Sequence, residues 1–286
     1  MFRAPPQPFR RLKILAFVSA VTAIVIVSSW MFASYIDSAA AYANYSTLGL
    51  HRVLVVSERP RVERRRAVGR LLRFQGIPFG FLPATRAYDI DHPETRPPWP
   101  GEEPWPPVPQ PHAEPAALLA EVRTHMTAVN AVVRQALPSA LILADAVDVE
   151  ADIKQRMHDI APRLPASWDV LFLGHCGARG AAAAARPTML HPDLYVAAGA
   201  PNCTFAYALS YAAAVRLKRV LDNAWPRPQR SFAAILDGLV APMVLEAYVV
   251  DPPLVALALP PAAADPPPRR LRSSTAEMIG VELPLA

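Results

Sequence analysis

Short runs of aliphatic residues alternate with amphipathic segments between residues 52 and 250, and this alternation restricts the possible folds more than any other feature. The runs at 52–57, 139–143 and 170–174 are dominated by apolar residues, as is typical of strands buried on both faces of a sheet. Apolar residues recur at helical spacing in segments between and after them. These helical segments are 62–74, 116–137, 151–160, 212–221 and 231–240, and further short strands are predicted at 79–83, 205–210 and 247–250. Repeated strand–helix units predict a Rossmann-type, three-layer α/β domain with a mostly parallel sheet.

An uncharged stretch of 23 residues, from Ile14 to Ile36, stands near the start of the sequence. A helix of that length measures about 34 Å, which is enough to span a bilayer core. Two other interpretations of this stretch are a cleaved signal peptide and a buried core helix. The apolar region of a signal peptide typically has only about 7 to 15 residues. Because basic residues precede the stretch and Asp37 follows it, we expect a single-pass anchor with a cytosolic N terminus.

This orientation divides the chain into a cytosolic tail at residues 1–13, an anchor at 14–36 and a stem at 37–50. The lumenal α/β domain is expected at 51–257, followed by a proline-rich basic tail at 258–286, which we expect to be poorly ordered over residues 260–272. Proline is unusually common, with 33 residues against 11 glycines. Nine of the prolines lie between residues 94 and 115, a segment expected to run extended over the surface.

A lumenal location would allow two cysteines to form a disulfide and two sequons to be glycosylated. Cys176 and Cys203 would face an oxidising compartment, which favours a disulfide, although a pair of small apolar core residues is the alternative. Asn44 and Asn202 each begin an N-glycosylation sequon, a pattern that also occurs by chance. The net charge of +5 and a helix rich in arginine would suit nucleic acid, but in the lumen no nucleic-acid partner is expected.

Polar side chains follow two of the predicted strands at the points where these strands end. Ser57 is followed by Arg61, Arg64 and Arg65 at the start of a helix, a combination that predicts a diphosphate-binding turn. A solvated helix face is the simpler explanation for most of these arginines. Ligands bind in open parallel sheets outside the carboxyl ends of strands, which is where these residues fall.

Two aspartates, Asp145 and Asp148, follow the strand predicted at 139–143. Carboxylates at this spacing can bind a divalent cation that bridges a nucleotide diphosphate. The alternative is that Asp148 caps the helix expected at 151–160. The sequence therefore leaves both a metal site and a capping role open for Asp148.

Five blocks in this chain resemble, in the right order, the sequence blocks of glycosyltransferase family 25, the group related to lipopolysaccharide and collagen galactosyltransferases. They cover about residues 44–255, and the match is close to eukaryotic, fungal-type members. The blocks are residues 46–65 with the Arg61-Val-Glu-Arg-Arg helix start, residues 123–126, residues 139–154, residues 168–177 and residues 205–210. No single block would be specific.

The resemblance implies a GT-A-like fold, a UDP-sugar donor, with galactose as one candidate sugar, and a Mn²⁺ or Mg²⁺ ion held through Asp145 and Asp148. It also implies a glycan or glycoprotein acceptor and a membrane location in the Golgi or endoplasmic reticulum. The family's Glu-Asp-Asp triplet is Ala144-Asp145-Ala146 in this chain, and a later family aspartate is Ala233, with Asp237 one turn away. Asp148 and Asp237 are then the candidate catalytic residues.

Two functions follow from these residues. The first is a glycosyltransferase that transfers a sugar from a UDP-sugar to an acceptor in the secretory pathway. The second is a catalytically inactive relative that acts as a lumenal binding or scaffold protein, because the triplet has lost its two outer carboxylates. Ions of this kind need several oxygen ligands, so that loss lowers the expected affinity for metal.

Overall fold

The computed structural model describes Thr22 and residues 25–28, 45–92, 114–176, 186–201, 203–258 and 271–281. The chain divides into two units, Met1–Tyr45 and Ser46–Ala286. In the first unit Thr22 and residues 25–28 are helical and exposed. None of the helices formed by the described residues combines the length and apolar character needed to cross a membrane. The rest of the predicted anchor, both sequon asparagines and most of the proline-rich segment lie outside the described residues.

The second unit is built on a sheet of eight strands among the described residues. In sheet order the strands are β2 (Gly80–Pro83), β1 (Arg52–Ser57), β3 (Ser139–Ala144), β8 (Ala206–Ser210), β5 (Val170–Phe172), β9 (Ala247–Val250), β7 (Leu194–Val196) and β6 (Arg186–Pro187). Strands β8 and β7 run opposite to the other six. The prediction of a mostly parallel sheet is therefore confirmed.

Helices cover both faces of this sheet, as expected from the strand–helix alternation. The described helices are α1 (Val62–Phe74), α2 (Ala87–Asp91), α3 (Ala116–Arg134), α4 (Ile153–Ile160), α5 (Tyr211–Ala224), α6 (Phe232–Val240) and α7 (Thr275–Ile279). Successive strand residues point to opposite faces: Leu54 packs with α3, α5 and α6, whereas Val53 and Val55 pack with α1 and α4. The three-layer architecture follows from this alternation.

Serine residues begin three of the helices and satisfy their first backbone donors. The Ser210 hydroxyl accepts a hydrogen bond from the Ala213 amide at the start of α5, and Ser231 does the same for Ala234 at α6. Ser274 accepts from the Glu277 amide at α7. Such caps explain why these helices begin where they do, because the first amides of a helix have no partner within it.

A small second sheet joins β4 (Val147–Val149) to β10 (Val255–Leu257) in antiparallel register. Neither strand was predicted, because each has only three residues and no clear alternation. Val147 and Val149 are fully buried, and Asp148 between them points to the C-terminal segment. This sheet therefore holds residues 255–257 next to the bend that carries Asp145.

The C-terminal segment at 271–281 belongs to the domain, whereas the sequence placed the domain boundary at residue 257. Glu150 is fully buried, and its carboxylate accepts hydrogen bonds from the Arg272 and Ser273 amides at 2.5 and 2.8 Å. The Arg156 guanidinium lies 4.0 Å from the same carboxylate and offsets its charge. Proline content alone could not reveal this anchoring, since it depends on an acidic residue more than 120 positions earlier.

Candidate functional site

A cavity of about 380 Å³ opens at the carboxyl ends of β1 and β3. Its walls come from these strand ends, from the middle of α3 and from the residues that lead into β8. The lining residues are Val56, Ser57, Glu58, Arg61, Ala84, Thr124, His125, Ile142, Leu143, Ala144, Asp145, Cys203, Thr204, Phe205 and Leu257. This is the edge at which open α/β sheets bind ligands, and it is where the sequence placed the diphosphate-binding turn.

Ser57 and Asp145 meet at the floor of this cavity. The Ser57 hydroxyl donates a hydrogen bond of 2.6 Å to Asp145 Oδ2, and both side chains are buried. The two residues end neighbouring parallel strands, because Val56 pairs with Ala144 across β1 and β3. Parallel pairing in register thus brings together two polar residues that are 88 positions apart in sequence.

Two guanidinium groups face the other oxygen of Asp145. Arg61 Nη1 lies 3.9 Å and Arg64 Nη1 4.0 Å from Asp145 Oδ1. Arg61 also pairs with Glu58, which lines the cavity. The side chain of Arg61 is 41% exposed and that of Arg64 18% exposed, so Arg61 stands nearer to solvent. Arg61 lines the cavity itself, whereas Arg64 approaches the same carboxylate without being a lining residue.

Arg65 lies apart from this group although it is next in sequence. Its guanidinium carbon lies 4.5 Å from the centre of the Phe81 ring, an arrangement typical of a cation–π contact. Of the three arginines predicted to bind a diphosphate, the structure brings Arg61 to the cavity wall, places Arg64 near the carboxylate of Asp145 and places Arg65 against β2.

His125 forms the opposite wall and belongs to a hydrogen-bonded group. Its Nδ1 lies 2.8 Å from the Tyr207 hydroxyl and its Nε2 lies 3.3 Å from the Thr204 hydroxyl. The imidazole stacks on the Phe232 ring with 3.9 Å between ring centres. Burial lowers the pKa of His125 to about 3. The imidazole is therefore neutral at physiological pH and acts as a hydrogen-bonding group in the cavity wall.

We expect His125 to make the protein less stable in acid. The unfolded chain protonates this histidine near pH 6.5, whereas the folded chain does so only at about pH 3, so acidification through this interval favours unfolding. Between pH 7 and pH 5 the loss attributable to His125 is at most about 2 kcal/mol. Urea unfolding at the two pH values should show a smaller pH dependence for His125→Gln than for the wild type.

His158→Gln, which alters an exposed histidine on α4, is the matched control for replacing a histidine by glutamine. Equal pH dependence in His125→Gln and the wild type would show that burial of His125 does not disfavour its protonation.

Asp148 and Asp237, the two candidate catalytic residues, do not line the cavity. Asp148 Oδ1 accepts hydrogen bonds from the Val149 and Ala276 amides, and Oδ2 accepts one from the Ser274 hydroxyl. Burial raises its pKa. The Asp148 carboxylate does accept hydrogen bonds at the start of a helix, but this helix is α7 and not α4, the helix that the sequence predicted at 151–160.

Asp237 supports a loop next to the sheet. Its Oδ1 accepts a hydrogen bond of 2.8 Å from the Ala200 amide. A Cβ atom built on Gly199 would stand 2.6 Å from the same oxygen, so the backbone passes very close to this carboxylate. The structure gives Asp237 a role in positioning the loop at 199–200.

The side chains around Asp145 do not fit a hard divalent cation. Oδ2 of Asp145 accepts the Ser57 hydrogen bond and Oδ1 faces two guanidinium groups. Ala144 and Ala146 offer no side-chain oxygen, and both oxygens of Asp148 already accept hydrogen bonds. Among the described residues no three acidic, histidine or cysteine side chains come together to hold a metal. Mn²⁺ and Mg²⁺ prefer several oxygen ligands, which this site lacks.

Cys176 and Cys203 form a disulfide with 5.7 Å between their Cα atoms. Cys203 also lines the cavity, so the bridge holds one wall of the site. Thr204 and Thr124 complete that wall. Neither was predicted as a site residue, because Thr204 was interpreted only as part of the sequon at Asn202 and Thr124 only as part of the block at 123–126. Glu58 was overlooked because it stands among several charged neighbours in sequence.

Comparisons with protein-family profiles and with curated proteins find no match for this chain. Among solved structures it resembles mannose-1-phosphate geranyltransferase from Thermus thermophilus, with 14% sequence identity and a TM-score of 0.35. The match covers 73% of this chain and 62% of that chain. It also resembles a glycosyltransferase involved in the glycosylation of the major capsid of PBCV-1, with 15% sequence identity and a TM-score of 0.38. That match covers 70% of this chain and 83% of the other. The chain thus spans less than two thirds of the Thermus protein. At these TM-scores and identities the likeness says nothing about function.

Proposed function

We propose that this protein is a glycosyltransferase that binds a nucleotide-sugar donor, a UDP-sugar by its family 25 resemblance, in the cavity at the ends of β1 and β3. The observation that carries the proposal is the convergence of Ser57, Arg61 and Asp145 on one cavity at the carboxyl edge of the sheet. Guanidinium groups bind phosphate oxygens through two parallel hydrogen bonds, and the strand ends leave room for a ligand beside them.

The expected reaction transfers the sugar to a hydroxyl group of a glycan or glycoprotein. The bond between the anomeric carbon and the diphosphate oxygen breaks, and the nucleoside diphosphate leaves with the electron pair. The acceptor oxygen forms the new bond and loses its proton to solvent. The protein contributes by holding the diphosphate where negative charge develops as the sugar leaves.

We place this activity in the lumen of the Golgi or endoplasmic reticulum, on a single-pass type II membrane protein. The sequence of residues 14–36 supports the anchor by its length and flanking charges. The disulfide between Cys176 and Cys203 supports an oxidising compartment, since such bridges are rare in the cytosol.

A catalytically inactive lumenal binding protein is the second candidate function. It is favoured by the absence of Asp148 and Asp237 from the cavity lining and by the alanines at 144 and 146. Such a protein would keep the nucleotide-binding cavity and lack turnover.

An assay of the full chain with a panel of UDP-sugars and mass detection of products separates the two. The proposal predicts transfer to an added glycan acceptor, or slow release of UDP, from at least one donor. Binding of UDP without turnover of any donor would favour the inactive relative. Absence of both binding and turnover would contradict both functions.

A further inference from the structure

We infer that the donor diphosphate is neutralised by Arg61 and Arg64 rather than by a divalent cation, an inference that rests on the proposed function. Their guanidinium groups lie 3.9 and 4.0 Å from Asp145 Oδ1, and both Asp145 and Arg61 line the cavity. A nucleoside diphosphate bound there would meet two permanent positive charges that need no metal to be in place.

Asp145 is the first reason for this inference. Its Oδ2 is taken by the Ser57 hydroxyl at 2.6 Å, and the two arginines stand around its Oδ1. A cation approaching Oδ1 would have to displace these guanidinium groups and would be repelled by them. Asp145 is therefore a positioning residue, which holds Ser57 and the two arginines in one arrangement.

The neighbouring positions supply no further metal ligands. Alanine stands on both sides of Asp145, and Asp148 uses both of its oxygens to hold residues 274–276. Glu58 is paired with Arg61. A hard cation at this place would thus meet one carboxylate, that of Asp145, and would compete for it with Ser57 and the two arginines. A single carboxylate gives little affinity.

Local charge is compatible with anion binding. The charged side chains that meet at the cavity are Arg61 and Arg64 on one side and Glu58 and Asp145 on the other, so that the two carboxylates are balanced. The guanidinium forks of the two arginines allow charge-assisted hydrogen bonds to the oxygens of a diphosphate.

Calorimetric titration of the full chain with UDP, in EDTA and then in Mn²⁺, tests the inference. UDP should bind in EDTA, and Mn²⁺ should change the dissociation constant by no more than about twofold. Arg61→Gln and Arg64→Gln should each weaken binding by about tenfold or more in both buffers, because each removes a charged donor to phosphate. Parallel titrations with GDP and CDP test whether the site binds a nucleotide with a base other than uracil.

Arg66→Gln is the matched control, since Arg66 lies on the same helix, is exposed and pairs with Glu63 away from the cavity. It should bind UDP like the wild type. Thermal unfolding of all three variants shows whether a loss of binding reflects a loss of folding, and variants that unfold early are replaced by Arg61→Lys and Arg64→Lys. The lysine variants should also bind more weakly, because lysine lacks the two-pronged geometry.

Three results would overturn the inference. Binding that needs Mn²⁺ would contradict it and leave the proposed function standing. Binding in EDTA that is unaffected by either arginine substitution would show that other residues hold the phosphates. If no nucleoside diphosphate binds in either buffer, the inference and the proposed function both fail.

Discussion

Ala144→Glu is expected to weaken the binding of UDP in EDTA by about a hundredfold. Ala144 lines the cavity directly before Asp145, so the substitution adds a negative charge beside the place proposed for the diphosphate. Two unit charges about 6 Å apart at an effective dielectric constant of about 20 repel by about 3 kcal/mol, which corresponds to this factor. Calorimetric titration of the variant and the wild type measures it.

Ala144→Gln is the control, because glutamine matches glutamate in size and carries no charge. It should retain most of the affinity. An equal loss in the two variants would show that the added bulk, rather than the charge, is responsible. Wild-type affinity in Ala144→Glu would contradict a site that works by charge, since the new carboxylate could not then be near the phosphates.

Gly174→Ala is expected to destabilise the domain by about 2 to 3 kcal/mol. A Cβ atom at this position would stand 2.3 Å from Cε2 of Phe205 and 2.6 Å from the backbone oxygen of Val255. The Phe205 side chain lines the cavity, and a backbone atom cannot move aside without shifting β10. Overpacking of this kind costs about 1 to 3 kcal/mol, and here two contacts are violated. Urea unfolding measures the free energy of unfolding.

Gly238→Ala provides the matched comparison within α6. A Cβ atom there has no neighbour within 4 Å, and alanine is the better helix former by about 1 kcal/mol. This variant should be slightly more stable than the wild type. If Gly174→Ala proved as stable as Gly238→Ala, the close approach of residues 174, 205 and 255 would be wrong.

Much of the fold was predictable because its main elements have strong local signals. Residues 52–57 and 62–74 were predicted with the bounds that β1 and α1 have in the structure. Both are long enough for their hydrophobic pattern to be unmistakable. The strand at 247–250 was also predicted with its observed bounds. Local patterns of this kind depend on a few neighbouring residues, which a sequence shows directly.

Elements that depend on distant partners escaped prediction. Strands β4 and β10 have three residues each and exist because Asp148 pairs with Ala256 across more than 100 positions. Strand β8 runs antiparallel to both of its neighbours, β3 and β5, and no local pattern indicates this direction. The attachment of residues 271–281 similarly depends on Glu150.

Part of the candidate site was predictable, because Ser57 and Asp145 lie at the ends of predicted strands. The strand prediction placed each of them at the end of a strand, and their contact depends on the in-register pairing of β1 with β3 that the structure shows. Asp148 follows the same strand, yet its side chain turns toward α7. A difference of three positions is enough to move a carboxylate from the cavity to a helix cap, and only the packing of the C-terminal segment decides it.

A crystal structure of the protein with UDP is the most direct test of the central claim, that a nucleotide-sugar binds at the carboxyl ends of β1 and β3. We predict that the diphosphate oxygens lie within hydrogen-bonding distance of Arg61 and Arg64, with the nucleotide in the cavity beside Ser57. A nucleotide bound elsewhere on the protein, with this cavity holding only solvent at saturating UDP, would contradict the account.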